Sequence, residues 1–442
     1  MDNLKIKFNE TSIVKIQEFK NFLKNNGDTI IDSASLSQVY GGMRDVVSLI
    51  TETSLLDSNK GISFHNFSIN DLYDNIPKTS INSKEPTPEM MFYLLLIGEM
   101  PTNIDVDSIS TDWKKRCKVP QYIYDIISKM PKNNPMSHFI TAISALQQES
   151  IFNKAYLDGI KKDKYWEYIY EDSMNLLACL PSIASYIYSY NYGDGKIKDI
   201  DSSLDWAGNL AQMIGDKDKS STSLMKEFMR MYTTIHCDHE GGNASAFTSH
   251  ITGSTLASPY ASFSAGMCSL SGPLHGLAAQ TSLDWIIDLL KEHNNQIPNN
   301  EQIEKYIIKC MDLGQVIPGY GHAVLRKTDP RFSVQMEFAK KHNLSSDYLK
   351  SVWGVYEVAP KILGSVGKIK NPFPNVDAHS GALLNYFGLQ NTEFYPVLFG
   401  VSRALGILSQ LIWSRALGNP IFRPKSITID SLKEIISNNK GK

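Results

Sequence analysis

The chain has 442 residues, enough for two or three domains at roughly 100–200 residues each, or for one large helical body with a smaller lobe. Its 42% hydrophobic and 20% charged residues fit a globular protein that buries a sizeable core. A formal net charge of -2 excludes a global field that would draw nucleic acid or an anionic membrane, so an anionic ligand must be held by local arginines.

Apolar residues recur with helical period along most of the chain. Strand signals are few, and the best is the alternating stretch Gly61–Ile69, which predicts a small hairpin near the N-terminus. The spacing predicts helices over 11–25, 88–99, 137–150, 165–191, 204–214, 221–235, 259–270, 277–292, 301–312, 334–341, 346–365, 379–387 and 393–417. Loops are expected at Gly215–Lys219, at 294–300 and at the Pro-rich stretch 371–376. The fold class is therefore all-α with a minor β element. Two unusual His-containing motifs bound the segment 276–382. It reads as a small domain inserted in a larger helical one formed by 1–275 and 383–442.

Five clusters carry candidate chemistry. In His236-Cys237-Asp238-His239-Glu240-Gly241-Gly242, two histidines beside carboxylates are candidate metal ligands, core residues, or ring N–H donors at a helix break. In Gly272-Pro273-Leu274-His275-Gly276, the imidazole stands before the helix expected from residue 277. There the positive end of the dipole disfavours imidazolium and suits a neutral donor, unless His275 only caps the backbone. Val316-Ile317-Pro318-Gly319-Tyr320-Gly321-His322 is neither a dinucleotide fingerprint nor a P-loop. Its glycines allow close backbone approach to a flat or anionic ligand, and Arg326, Lys327 and Arg331 follow, as they would also in a solvated loop. Asp377, between a Pro-rich turn and an apolar helix, is either an N-cap or a desolvated general base. Finally, Arg403 and Arg415 lie in the apolar stretch 395–417, and Phe422-Arg423-Pro424-Lys425 follows it. An arginine there requires an internal salt bridge or a bound carboxylate.

Cys117, Cys179, Cys237, Cys268 and Cys310 form no C-x-x-C pair, so a reducing compartment is expected rather than a disulfide framework or a zinc site. No uncharged apolar run of about 18 residues predicts a transmembrane helix. Met1-Asp2-Asn3-Leu4-Lys5 carries no targeting signature, and Lys440-Gly441-Lys442 is not a peroxisomal tripeptide.

Taken in order, these motifs resemble the citrate synthase family, in its eukaryotic mitochondrial type, over nearly the whole chain. The resemblance runs from Tyr40-Gly41-Gly42-Met43-Arg44 and Lys164-Tyr165-Trp166-Glu167 through His239-Glu240-Gly241-Gly242-Asn243 and Gly272–Gly276. It continues through Pro318–His322, Asn375-Val376-Asp377-Ala378-His379-Ser380-Gly381 and Phe399–Gly406, and ends at Arg423-Pro424-Lys425-Ser426. It implies an all-α homodimer whose cleft closes on oxaloacetate and whose co-substrate is acetyl-CoA, with no metal. Asp377 would abstract a methyl proton, His275 would stabilise the enolate, and His322 would polarise the oxaloacetate carbonyl. His239, Arg331 and Arg403 would bind the carboxylates, together with Arg423 reaching in from the partner subunit. Coenzyme A would lie along Val316, Gly319 and Gly321, with Arg44, Arg326 and Lys370 at its phosphates. The matrix of the mitochondrion is the implied location, although no transit peptide is visible.

Three departures from the family pattern stand out. Phe247 occupies a position where many relatives carry His, and Phe373 one where Trp is common. The segment Tyr186–Lys198 lacks the arginine that relatives use to hold a coenzyme phosphate across the dimer; Lys196 and Lys198 are nearby. Two other readings share the motifs: 2-methylcitrate synthase, using propionyl-CoA, and a filament-forming relative without catalysis.

Overall fold

A computed structural model describes residues 3–215, 223–322, 324–366, 369 and 371–440. Lys370 and the loop residues Asp216–Lys219 lie outside the described residues, as do the first two residues of the helix expected over 221–235. In chain order come α1 (Asn3–Asn26), α2 (Leu36–Tyr40), the strands β1 (Ser54–Asp57), β2 (Gly61–Phe64) and β3 (Phe67–Ser68), then α3 (Ile69–Asp74) and α4 (Pro88–Ile97). There follow α5 (Asn103–Arg116), α6 (Gln121–Lys129), α7 (Pro135–Ala145), α8 (Ile151–Leu157), α9 (Tyr165–Tyr192), α10 (Trp206–Ile214), α11 (Ser223–Ile235), α12 (Ala244–Ser254) and α13 (Pro259–Leu270). The chain continues through α14 (Ala278–Glu292), α15 (Asn300–Asp312), α16 (Pro330–Lys341), α17 (Asp347–Ser365), α18 (Asp377–Tyr386), α19 (Tyr395–Leu417) and α20 (Ile429–Lys440).

The predicted all-α class holds, with the hairpin extended to a three-stranded antiparallel sheet in the order β1-β2-β3. Ser54 pairs with Phe64 and Asp57 with Gly61, so the register is fixed by the tight turn at Ser58–Lys60.

Helix starts follow local chemistry. Four helices open with proline after a capping residue: Thr87-Pro88, Asn134-Pro135, Ser258-Pro259 and Asp329-Pro330. The last of these moves the start of α16 back to Pro330 from the expected residue 334. Helix α5, absent from the periodicity reading, is set by a capping box between Thr102 and Asp105.

Helix α19 runs through the core against α9, α4, α12 and α13. By length and composition its segment could cross a membrane, yet 94% of that apolar window is buried in the fold, which makes it a core helix. Helices α14 to α18 pack on one another, α14 and α16 both flanking α18. In the first turn of α18, Ser380 Oγ lies 3.4 Å from Nε2 of His236, the residue that follows α11.

Candidate active site

The turn between α11 and α12 is built around a buried carboxylate. Asp238 accepts hydrogen bonds from Thr53 Oγ1 (2.6 Å), Ser54 Oγ (2.7 Å) and Gln410 Nε2 (2.9 Å), tying β1 and α19 to this turn. Gly406 lets α19 approach: its N–H donates to Cys237 O at 2.9 Å, and a Cβ there would run into the Asp238 carboxylate. One turn earlier, Arg403 is 2% exposed, and its Nε donates to His236 O at 3.0 Å. Its guanidinium carbon lies 4.6 Å from the centre of the Phe399 ring. Burial pulls Arg403 down to about 10, against the opposing pull of Asp238. Among the described salt bridges, none involves this guanidinium. A buried cation in that state favours an incoming anion.

Arg331 stands at the start of α16, 3% exposed, with Nε and Nη2 on the Asp329 carboxylate at 2.7–3.2 Å. Burial opposes its charge, but Asp329 outweighs burial and holds Arg331 above its ordinary value. Two imidazoles meet beside this pair, the rings of His239 and His322 being 5.8 Å apart. Burial pushes both below the usual histidine range, and Arg331 adds to it. His322 Nδ1 accepts from the backbone N–H groups of Val324 and Leu325, each at 3.1 Å. That fixes the neutral tautomer, with the proton on Nε2 free to donate.

Asp377 is the first residue of α18. Its backbone N–H donates to Asn375 Oδ1 at 2.9 Å, and no side-chain capping bond forms, so the N-cap reading is set aside. Among the described hydrogen bonds, none engages its carboxylate. Burial raises it to about 6, with Arg331 and Arg403 pulling down and Asp329 pushing up. The turn before it is clamped twice. Asn375 N–H donates to Gly319 O at 2.8 Å, and Gln335 Nε2 of α16 donates to Val376 O at 3.1 Å.

His275 corrects the sequence reading in one respect. It lies three residues before α14, and the helix that meets its ring is α12, two residues from whose Asn243 cap stands Ser245. The Ser245 N–H donates to His275 Nε2 at 3.2 Å, and Ser245 Oγ sits 2.8 Å from the same nitrogen. A backbone N–H can only donate, so Nε2 carries the lone pair and Nδ1 the proton. Burial, and then Arg403, lower this histidine to about 4, so the expected neutral imidazole is present. Arg403 thus bears electrostatically on His275, His239 and Asp377 together.

Not every sequence candidate converges here. Gly319 and Gly321 lie on the loop beside α18, while Val316 is 81% exposed. The Arg326 N–H donates to Ser58 O, and its Nη1 donates to Val324 O and Leu325 O, so it braces the loop against the β1–β2 turn. Arg44 and Arg423 are exposed on segments outside this cluster. No group of three or more His, Cys, Asp and Glu able to hold a metal ion occurs among the described residues, so the metal reading of His236 and His239 finds no ligand set. A cavity of about 730 Å³, lined in part by Leu224, Ile287, Tyr348 and Phe387, lies at the end of α18 remote from Asp377.

Sequence reasoning missed Asp329, Ser245 and Gln335. The Asp-Pro start signature could have found Asp329, and the Asn243 cap could have placed Ser245 in a first helical turn. Gln335 has no local signal.

Comparison with known proteins gives a consistent picture. The family profile described as "Citrate synthase, C-terminal domain" matches residues 42–425. The "Probable citrate synthase, mitochondrial" of Glossina morsitans morsitans is 49% identical over 422 residues, covering 95% of this chain and 90% of its own. The "Citrate synthase, peroxisomal" of Saccharomyces cerevisiae is 47% identical over 440 residues, covering 99% of this chain and 94% of its own. The solved citrate synthase of Thermoplasma acidophilum, a ternary complex with carboxymethyl coenzyme A and oxaloacetate, matches with a TM-score of 0.74 at 20% identity, over 90% of this chain and 97% of that one. That last likeness carries the fold, whereas the two sequence relatives and the profile carry the family. The chain belongs to the citrate synthase family.

Proposed function

We propose that this chain condenses acetyl-CoA with oxaloacetate and then hydrolyses the thioester, using Asp377, His275 and His322 as its reacting groups. The observation that supports this best is the paired tautomers. His275 and His322 each have one ring nitrogen occupied by backbone N–H groups, which leaves one N–H apiece to donate, and the arginines that act on them, Arg403 on His275 and Arg331 on His322, both act on the Asp377 carboxylate, itself raised to about 6.

A thioester α-proton is too weakly acidic for a carboxylate to remove unaided. The site must therefore stabilise negative charge on the thioester oxygen as the proton moves to Asp377, and the Nδ1–H of His275 supplies that bond. The enol carbon then attacks the oxaloacetate ketone, whose oxygen takes a hydrogen bond from the Nε2–H of His322. Arg331, Arg403 and His239 hold the two carboxylates, and the buried Arg403 is neutralised by them. Water attacks the resulting citryl thioester and releases the thiol.

Residues 276–382 form the small domain, which closes over bound oxaloacetate and completes the base only then. Coenzyme A runs along 316–321, with Arg44, Arg326 and Lys370 at its phosphates. The working unit is a homodimer in which Arg423 enters the other copy's site. Exposed Ile30, Ile31, Tyr40, Ile421 and Ile429 on the terminal segments support such an interface. Relatives named as mitochondrial support a matrix location, to be checked by fractionation.

The test is thiol release from acetyl-CoA and propionyl-CoA, each with and without oxaloacetate. Oxaloacetate-dependent release that favours acetyl-CoA is expected. Release that ignores oxaloacetate, or none at all, would overturn the reading.

A further inference from the structure

Helix α12 carries a stripe that the chemistry above does not use. Phe247, His250 and Ser254 are spaced i, i+3 and i+7, so they share one face of the helix. All three meet one residue of the segment after α19. The Phe422 ring lies 5.3 Å from that of Phe247 at 79°, and 6.1 Å from that of His250 at 80°, both edge-on. The Phe422 N–H donates to Ser254 Oγ at 3.0 Å, and Ser254 Oγ in turn donates to Ile251 O at 2.7 Å. Among the described residues, the hydrogen bonds and ring contacts of 420–427 all run through Phe422.

Phe422 immediately precedes Arg423, and Pro424 follows. A residue before proline is restricted to extended backbone, and in extended chain successive side chains point to opposite sides. With Phe422 turned into α12, Arg423 is directed outward, and it is exposed. The bracket itself is rigid. At Gly253 a Cβ would strike Leu411 of α19, and at Gly266 of α13 one would strike Ser249, so α12 is wedged between both neighbours. Its first turn holds His275 through Ser245.

We propose that Phe247 is a positioning residue for Arg423: its ring holds Phe422, fixing the direction in which this subunit presents Arg423 to the oxaloacetate site of a second copy. The proposal rests on the reading that Arg423 works across the dimer. One short helix then serves two sites. Its first turn orients the histidine of its own subunit, and its 247–254 face aims the arginine offered to the other.

The test uses hybrid dimers of two differently tagged full-length subunits, one silenced by Asp377→Asn. The silent subunit then supplies Arg423 to the single live site. Phe247→Ala on the silent subunit should raise the oxaloacetate KM of the live site roughly 2- to 12-fold, the equivalent of one edge-to-face ring pair, with kcat little changed. The same substitution on the live subunit should leave that KM within about twofold. Phe247→Tyr, which keeps the ring, should restore the normal value. Phe422→Leu reads the same contact from the arm should the alanine variant fail to assemble, and it should raise KM in the same trans pattern. An equal effect from either subunit would reduce Phe247 to general packing and overturn the proposal. Arg423→Ala on the silent subunit separates the two possible failures. If it raises KM and Phe247→Ala does not, only the positioning role falls. If it leaves KM unchanged, the cross-dimer reading falls and the proposal with it.

Discussion

Replacing Gly319 by alanine should disable the chemistry while leaving the fold standing. Gly319 has φ +80°, and a Cβ built on it would lie 2.7 Å from both Cα and Cβ of Ala378, in the first turn of α18. Carbon atoms pack at roughly 3.5–4.0 Å, so the two backbones must part by about 1 Å. They cannot part freely, because Gly319 O accepts from Asn375 N–H at 2.8 Å and Tyr320 bridges to Pro374. The strain therefore passes to Asn375, and from there to Asp377, whose N–H Asn375 holds. The left-handed backbone itself costs an L-residue roughly 1–2 kcal/mol, a modest loss for a core of this size. A displacement of about 1 Å at a reacting group costs on the order of 100-fold in rate. Thiol release at saturating substrates should thus fall about 100-fold, while calorimetric titration still shows oxaloacetate binding and the mass in solution matches that of the parent. A kcat within about threefold of the parent would show that the 316–321 loop does not set the position of Asp377.

Three further expectations follow from the same geometry. Ser245→Ala removes the hydroxyl beside His275 but keeps the backbone N–H bond. It should lower kcat by up to about 10-fold with little change in the oxaloacetate KM, the scale of one hydrogen bond; a KM effect alone would contradict the role given to the ring. The pH profile should be governed by Asp377. A base must be ionised, and its pKa is raised to about 6, so kcat/KM should be flat above that value and fall about tenfold per unit below it. His275, lowered to about 4, stays largely neutral over the first unit of that fall. Asp329→Asn removes a negative charge that pushes Asp377 up, so the acid limb should move to lower pH; a shift upward would refute the electrostatic assignment.

What could be seen in the sequence was what one element carries alone. Helices α9 and α19 showed because their apolar residues recur over many turns, and Arg403 showed because a charge in such a helix demands an explanation. Helix α12 did not, because Ala, Ser, Thr and Gly fill it and leave little apolar period. Its importance lies in closeness, since small residues let α13 and α19 press against it. The neutral state of His275 is legible in the sequence but its cause is not: burial and then Arg403 lower it, not the start of α14. Which helix meets the imidazole and sets its tautomer is decided by tertiary packing, and here it is α12. Gln335 and the Asp238 network are silent for the same reason, as their partners lie on other elements and meet only once α16, α18 and α19 are docked.

The most direct test is turnover of the Asp377→Asn variant. Its amide fills the same space but cannot take a proton, so oxaloacetate-dependent thiol release should drop on the order of 100- to 10,000-fold. Calorimetry should still show oxaloacetate binding, because Arg331, Arg403 and His239 are untouched. Near-normal turnover in that variant would mean that another group removes the methyl proton, and the assignment of Asp377 as base would be wrong.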